Sequence, residues 1–176
     1  MTTKQLHKEA FRVLKETSRT FYIPITFLKK DLKDAVAMSY LAMRALDEIE
    51  DDDTLSTDVK HDLLKEVEKM LLVRPFPNED YLALLDPYKH LLPEVTLRMN
   101  DWLSLVPTEA YDIVKNATSE MAGGMAKWAK ANWNVQTRED LDDYTYYVAG
   151  LVGVLLADLF EWHNGEKSNR ELAIGY

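Results

Sequence analysis

Two carboxylates, Asp47 and Asp51, stand four residues apart in the segment DEIEDDD at positions 47–53. On a helix this spacing directs both side chains from one face. Magnesium prefers hard oxygen ligands, usually one or two carboxylates with substrate phosphates and water. The pair therefore predicts a site that holds Mg2+ against a diphosphate, with Arg44 placed to orient a carboxylate or contact phosphate. The alternative is a solvated acidic helix end.

This acidic segment is unfavourable for the helix that carries it. Six of its seven residues are acidic, and a helix already bears partial negative charge at its C-terminus. The segment therefore needs a physical reason to be where it is.

A second segment, TSRTFYIPITFL at positions 17–28, combines anion-binding and apolar residue types. Ser18 and Arg19 are compact groups suited to an anion, and Phe21 and Tyr22 supply apolar surface. The alternative is a loop with packing aromatics.

A third pattern is the pair Gly150 and Gly153, which share one face of a predicted helix. Glycine inside a helix costs about 1 kcal/mol relative to alanine, so the pair indicates close helix approach or room for a ligand. Tyr144 and Tyr147 lie one turn earlier. A further pair, in MAGGM at positions 121–125, predicts that a slender apolar chain lies between two helices; the alternative is tight packing.

Helical periodicity dominates the elements that must position these residues. Pro24 is expected to end any helix in its segment. Asp31 and Thr108 are expected to cap helices, Thr137 and Asp140 to form a capping box, and Ser168 to cap a last short helix. The predicted helices span positions 4–17, 31–50, 56–72, 81–90, 93–105, 108–131, 138–162 and 168–176.

Composition limits the function further. The 176 residues suit one domain, and no cysteine is present for a thiolate site or a disulfide. The net charge of −9 argues against nucleic-acid binding. The N-terminus lacks the apolar region of a signal peptide. The apolar run 148–160 is too short to span a bilayer, so it predicts a buried core helix and no transmembrane segment.

In this order, three segments resemble the squalene/phytoene synthase family. They are Ser18-Arg19-Thr20-Phe21, the run from Tyr40 to Asp51 that reads YLAMRALDEIED, and the run YTYYVAGLVG at positions 144–153. The MAGGM segment also resembles the family, and the resemblance runs from about residue 6 to the chain end.

The resemblance implies an all-α isoprenoid-synthase fold with a central apolar cavity. It implies an enzyme that binds farnesyl diphosphate or a similar prenyl diphosphate with Mg2+, ionises it to an allylic cation, and joins two chains head to head through a cyclopropyl intermediate. It also implies a cytoplasmic protein with peripheral membrane contact, because the substrate and the products are hydrophobic.

The resemblance also assigns roles to residues. Asp47 and Asp51 would hold Mg2+, which would relieve the repulsion of the acidic helix end. Tyr40 and Tyr147 would lie beside the reacting carbons. The diphosphate would be steadied by Ser18, Arg19 and Arg44, and the prenyl cavity would be lined by Phe21, Tyr22, Tyr144, Gly150 and Gly153.

One departure bears on the reaction. The family carries a second acidic motif on a later helix, which positions 1–176 do not contain, so the chain is expected to be the N-terminal larger part of a longer domain. The chain also resembles the family's bacterial farnesyl diphosphate phosphatase branch, in which water would capture the cation, so hydrolysis of farnesyl diphosphate to farnesol and diphosphate is favoured. The alternatives are coupling to squalene, dehydrosqualene or a phytoene-type product, and a non-catalytic module that binds a lipid or a partner helix.

Overall fold

The computed structural model describes residues 1–18 and 20–174, and the regular structure of these residues is helical. The predicted all-α class is confirmed. Short 3₁₀ turns at Asp86–Tyr88 and Thr108–Ala110 and a π-helical segment at Tyr146–Gly150 join the α-helices. The α-helices are α1 (Thr3–Thr17), α2 (Tyr22–Thr26), α3 (Lys30–Glu50), α4 (Thr57–Leu71), α5 (Asn78–Leu85), α6 (Glu94–Leu97), α7 (Met99–Ser104), α8 (Tyr111–Lys130), α9 (Arg138–Thr145), α10 (Leu151–Asn164) and α11 (Arg170–Ile174).

The helix starts follow local capping chemistry only in part. The Thr137 hydroxyl accepts from the Asp140 N–H at 3.0 Å, and the Asp140 carboxylate accepts from the Thr137 N–H at 2.9 Å, which confirms the capping box. Asp31 is not a cap: α3 begins one residue earlier, and Asp31 lies in its first turn, where a carboxylate favours the helix dipole. Thr108 likewise begins a 3₁₀ turn, and α8 starts at Tyr111.

Proline and asparagine account for further differences from the predicted helices. Pro24 lies inside α2 because the first turn of a helix requires no partner for its N–H groups. The predicted helix 93–105 is divided at Arg98 into α6 and α7. Asn169 rather than Ser168 accepts the N–H of Leu172 at the start of α11, since the Ser168 hydroxyl donates to Glu161.

Helix α3 runs through the centre of the molecule. It contacts α1, α2, α4, α6, α7, α8 and α10. Five residues that recur with the helical period along one face of α3 are fully buried, namely Ala35, Met38, Leu41, Ala42 and Ala45. Small side chains on this face let neighbouring helices approach α3 closely, so the core fixes the position of its acidic C-terminal end.

The glycine pair of α8 accommodates protein side chains. A Cβ at Gly123 would lie 2.5 Å from Oε1 of Glu68 on α4, and a Cβ at Gly124 would overlap the Tyr147 ring. The expectation that an apolar ligand occupies this space is therefore wrong for these two positions, because Glu68 and Tyr147 already fill them.

The apolar run near the C-terminus belongs to the long helical stretch that the sequence predicts at 138–162. Arg138–Asn164 is continuous over 27 residues with a hydropathy of 1.2 in its most apolar window, of which 22% is buried. By length and composition alone this longer stretch is apolar enough to cross a membrane, although the run 148–160 by itself is too short. Core helices of soluble proteins pass the same test, and Leu151, Leu155 and Leu159 are buried in the core here.

Candidate active site

An apolar cavity of about 490 Å3 lies between α3, the α2 region and the stretch that contains α10. Most of its wall is aliphatic or aromatic, and its charged lining residues are Arg44 and Asp47. Such a space suits an apolar chain that ends in a charged group. The described lining residues are Phe21, Pro24, Ile25, Leu28, Val36, Ser39, Tyr40, Met43, Arg44, Asp47, Met121, Val148, Ala149, Val152, Leu155, Leu156 and Phe160.

The cavity wall on α3 is a single helical stripe. Val36, Tyr40, Met43 and Asp47 recur at spacings of four, three and four, which places them on one face. The eleven residue-to-residue steps from Val36 to Asp47 rise by about 16 Å along the helix axis. The stripe is apolar along its length and ends in a carboxylate in the last turn.

Asp47 is the most perturbed group of this stripe. Burial raises the pKa of Asp47 to about 7; Arg44 opposes this shift, and the neighbouring carboxylates of Asp51, Glu50 and Glu48 reinforce it. The Arg44 Nη1 to Asp47 Oδ2 distance is 3.9 Å, so the ion pair is loose. Negative charge at Asp47 is thus incompletely compensated by the protein.

Arg44 is held mainly by Glu48. Its Nε donates to Glu48 Oε1 at 2.7 Å, and Nη2 of the same guanidinium lies 2.5 Å from that oxygen. The guanidinium remains part of the cavity lining. It is therefore oriented at the charged end of the cavity, with Nη1 only loosely engaged by Asp47.

Asp51 follows the last turn of α3 and remains exposed. Its N–H donates to the Asp47 carbonyl at 2.7 Å, and its backbone is still helical, so its side chain follows that of Asp47 by one turn. Among residues 1–18 and 20–174, no three His, Asp or Glu side chains converge as a preformed metal cage. A pair of carboxylates with uncompensated charge fits Mg2+, which completes its shell with phosphate oxygens and water.

The other acids of the segment have structural partners. Asp52 Oδ1 accepts from the N–H groups of Thr54 and Leu55 and from the Thr54 hydroxyl, which closes the turn after α3. Glu50 is buried, and its carboxylate accepts from Trp133 Nε1 at 2.8 Å. The crowding of acids thus combines a turn, a buried anchor and the Asp47–Asp51 pair.

Of the residues predicted to surround the diphosphate and the reacting carbons, some line the cavity and others have structural contacts. Tyr40 and Phe21 line the cavity, with ring centroids 6.3 Å apart, and the Tyr40 hydroxyl donates to the Thr17 carbonyl. Ser18 is buried, and its hydroxyl accepts from the N–H of Phe21, so it shapes the entry to α2. Arg19 lies outside the described residues.

Three predicted aromatic residues lie outside the cavity lining. Tyr22 faces Lys15, whose Nζ is 5.9 Å from the ring centroid. Tyr147 packs on Gly124 and so points toward α8, which corrects its expected position beside the cavity. Tyr144 packs edge-on against Trp128, with centroids 5.6 Å apart.

Tyr144 nevertheless lies close to the acidic end of α3. Burial, followed by the negative charges of Glu50, Asp51 and Asp47, raises the pKa of its hydroxyl. Tyr144 is therefore a neutral donor near the carboxylate pair, a position that differs from the predicted apolar lining.

Gly150 and Gly153 also lie outside the cavity lining. A Cβ at Gly150 would meet Tyr146 and Ile174 at 3.4–3.5 Å, and a Cβ at Gly153 would overlap the carbonyl of Ala173. Gly153 therefore lets α11 pack closely on this stretch, which is the close helix approach that the sequence left open, whereas a Cβ at Gly150 would make only ordinary van der Waals contacts. Arg170, which pairs with Asp158, fastens α11 there.

The sequence prediction missed most of the aliphatic lining. Val148, Val152, Leu155 and Leu156 line the cavity from the stretch that includes α10, and Val36 and Met43 line it from α3. The signal for the α3 residues was available, because Val36 and Met43 share a helical face with Tyr40 and Asp47.

Comparison with known proteins agrees with this architecture. The family model of squalene/phytoene synthase matches residues 14–175. The squalene synthase of Schizosaccharomyces pombe is 36% identical over 160 residues, which cover 87% of this chain and 34% of that protein. Squalene synthase ERG9 of Candida albicans is 37% identical over 172 residues, which cover 92% of this chain and 37% of that protein.

A solved structure shows the same fold. The complex of TcSQS with a ligand superposes with a TM-score of 0.75 at 26% identity, and the match covers 97% of this chain and 50% of that one. The chain spans about a third of the length of the curated relatives it matches. Because the family match extends over nearly the whole sequence and the helical fold agrees with it, this chain belongs to the squalene/phytoene synthase family.

Proposed function

We propose that this chain supplies the carboxylate pair and apolar cavity of a Mg2+-dependent enzyme that couples two farnesyl diphosphates head to head. The observation that carries the proposal is the cavity itself, an apolar space of about 490 Å3 whose wall on α3 ends in Asp47. An apolar prenyl chain fits the wall, and a metal-bound diphosphate fits the charged end.

The residues at the charged end of the cavity would have different roles in binding the metal and the diphosphate. Asp47 and Asp51 would hold Mg2+, and Arg44, oriented by Glu48, would contact the diphosphate. When bound, Mg2+ would neutralise the negative charge that develops on the leaving diphosphate. The aliphatic wall excludes water from the chain, and the face of the Tyr40 ring stabilises positive charge on nearby carbon.

The relatives favour coupling over hydrolysis. The curated proteins that match this chain at 36–37% identity are named squalene synthases. Coupling and hydrolysis share the ionisation step and differ in whether a second prenyl chain or water captures the cation. The sequence alone favoured hydrolysis, and the relatives support the alternative.

Product analysis tests the proposal. The purified chain is incubated with labelled farnesyl diphosphate, with and without Mg2+, and the lipids are extracted. Dehydrosqualene formed only with Mg2+ is expected, and squalene in its place when a hydride donor such as reduced nicotinamide is added, because squalene carries two more hydrogens. Farnesol instead would establish hydrolysis, and equal binding of farnesol and farnesyl diphosphate regardless of Mg2+, without any product, would indicate a lipid-binding module.

A matched pair of variants assigns the metal site. Asp47→Asn removes a carboxylate from the cavity and is expected to reduce Mg2+-dependent turnover by at least about a hundredfold, because the charge on the leaving group loses its counterion. Asp53→Asn removes an exposed carboxylate of the same segment and is expected to retain activity. Equal rates in both variants would contradict the assignment of Asp47.

Peripheral membrane contact belongs to the same proposal. Ile23 on α2 and Phe27, the residue that follows α2, lie four positions apart beside the cavity and are 60% and 84% exposed. The exposed Lys29 and Lys30 come next in the chain. Apolar side chains flanked by lysines bind the surface of anionic bilayers. We infer that a cytoplasmic protein of this kind takes its hydrophobic substrate from a membrane surface and returns its product there.

A further inference from the structure

We propose that Trp133 is a positioning residue whose indole, together with Lys60, fastens the acidic end of α3 so that Asp47 and Asp51 stay on one helical face. The inference rests on the proposed function, since it concerns the same carboxylate pair. It adds two residues from outside α3 to that site.

The contacts converge on Glu50, the last residue of α3. Trp133 Nε1 donates to Glu50 Oε1 at 2.8 Å, and Lys60 Nζ on α4 donates to the Glu50 backbone carbonyl. Lys60 Nζ also lies 5.0 Å from the centroid of the Trp133 ring. Glu50 and Lys60 are buried, so the Lys60 bond is shielded from competing water, and the bond from the half-buried Trp133 is partly shielded.

The backbone at Trp133 is strained. Asn132 and Trp133 have φ angles of 51° and 49°, in the left-handed region. Asparagine tolerates this region, but a bulky residue such as tryptophan rarely adopts it. Such strain persists where surrounding contacts enforce it and is concentrated at functional sites. Here the left-handed turn after α8 accompanies the bond that Trp133 makes to Glu50.

The contacts from Trp133 and Lys60 are needed because repulsion between carboxylates destabilises the end of α3. Asp47, Glu48, Glu50 and Asp51 crowd a helix terminus that already carries partial negative charge. Unwinding of this last turn would separate Asp47 from Asp51, which share a face only while the backbone is helical. The Lys60 ammonium bonds to the Glu50 carbonyl, the last of α3, and so opposes that unwinding. The Trp133 indole donates to the Glu50 carboxylate and so offsets part of the charge at this helix end.

The first test measures metal binding without turnover. Calorimetric titration of Mg2+ into the chain, in the presence of inorganic diphosphate, compares wild type with Trp133→Phe. Loss of the bond that fixes the end of α3 is expected to weaken Mg2+ binding by about tenfold, because the two carboxylates are then held together less firmly. Trp162→Phe is the matched control, since Trp162 lies on α10 and contacts His163, and it is expected to bind as wild type does.

The second test separates positioning from general stability. Hydrogen exchange of the amides at positions 49–53 is expected to accelerate by about tenfold in Trp133→Phe and in Lys60→Met, because each loses a bond to the helix end. Asn132→Gly keeps the left-handed turn and the Trp133 bond, since glycine adopts a positive φ readily, so it is expected to leave Mg2+ affinity and this exchange unchanged.

The outcomes distinguish this inference from the proposed function. Wild-type Mg2+ affinity and unchanged exchange in Trp133→Phe would overturn the inference and leave the function standing. If the wild-type chain itself fails to bind Mg2+ with diphosphate, the proposed function is wrong, and the exchange measurement then decides whether Trp133 fastens α3. In turnover, Trp133→Phe is expected to require more Mg2+ for half-maximal rate, with a kcat near wild type at saturation.

Discussion

At the residue scale, Asp47 shows how the position proposed for metal binding conflicts with stability. Its carboxylate is partly buried beside an apolar cavity and close to three other acids, and its pKa rises to about 7. An ordinary aspartate has a pKa of about 3.9. The folded protein therefore keeps a proton on Asp47 over a range of pH in which the unfolded chain has already released it.

This difference predicts the pH dependence of stability. Between about pH 4 and pH 7 the folded state binds more protons than the unfolded state, so the contribution of Asp47 to the free energy of unfolding falls as pH rises. Asp47→Asn is therefore expected to raise the melting temperature at pH 8 by about 2–4 °C. At pH 5 the difference is expected to shrink, because Asp47 is then protonated in the folded state.

Thermal unfolding at the two pH values, with and without Mg2+, checks this prediction. Mg2+ is expected to stabilise wild type more at pH 8 than at pH 5, since the ion displaces the proton from Asp47. Asp53→Asn serves as the control for removing one negative charge. A melting temperature of Asp47→Asn that equals wild type at both pH values would contradict the origin assigned to the shift.

At the scale of elements, the space around each helical glycine shows how closely a neighbouring segment packs against it. Gly124 on α8 admits the ring of Tyr147, whereas Gly150 has neighbours at ordinary van der Waals distance. The two glycines look alike in the sequence, since each interrupts a helical run. Their neighbours in the folded chain make them respond in opposite ways to an added methyl group.

A pair of alanine substitutions tests this difference. Gly124→Ala is expected to destabilise the protein by about 1–3 kcal/mol, because Tyr147 must move in a packed interface. Gly150→Ala is expected to be neutral or to stabilise by up to about 1 kcal/mol through higher helix propensity. Urea unfolding monitored by circular dichroism gives both values, and equal destabilisation of the two variants would show that the packing at Gly124 is misassigned.

At the scale of the whole molecule, charge and apolar exposure are distributed unevenly. The chain has a net charge of −9, yet positions 15–33 contain five basic and two acidic residues. This segment also contains the exposed side chains of Phe21, Ile23 and Phe27. A basic and apolar region on an acidic molecule, next to the cavity, is suited to a membrane surface that carries anionic lipid.

Vesicle sedimentation tests this surface. Replacing both Ile23 and Phe27 with serine is expected to weaken binding to vesicles of phosphatidylcholine and phosphatidylglycerol by at least about tenfold, since two apolar side chains no longer enter the bilayer. The control replaces Leu72 and Val73, an exposed apolar pair elsewhere on the molecule, with serine. Equal loss in both double variants would mean that general apolar exposure, and no particular surface, drives binding.

Local interactions explain what the sequence predicted well. The capping box at Thr137 and the start of α4 after Ser56 involve residues three apart, and the buried stripe of α3 repeats with the period of its own helix. The pair Asp47 and Asp51 is likewise defined by a spacing within one helix. These features depend on the backbone near each residue, so the order of residue types is sufficient to predict them.

The features that the sequence could not predict depend on contacts between distant segments. Tyr147 and Gly153 share their helical stretch with the cavity-lining residues, but their neighbours are Gly124 and Ala173, and only the packing of α8 and α11 decides this. Trp133 meets Glu50 across 83 positions of the chain. The sequence by itself determined an all-helical chain with a carboxylate pair on α3. Only the tertiary structure decided which faces enclose the cavity and which residues hold that pair in place, because side-chain partners are chosen by packing in three dimensions.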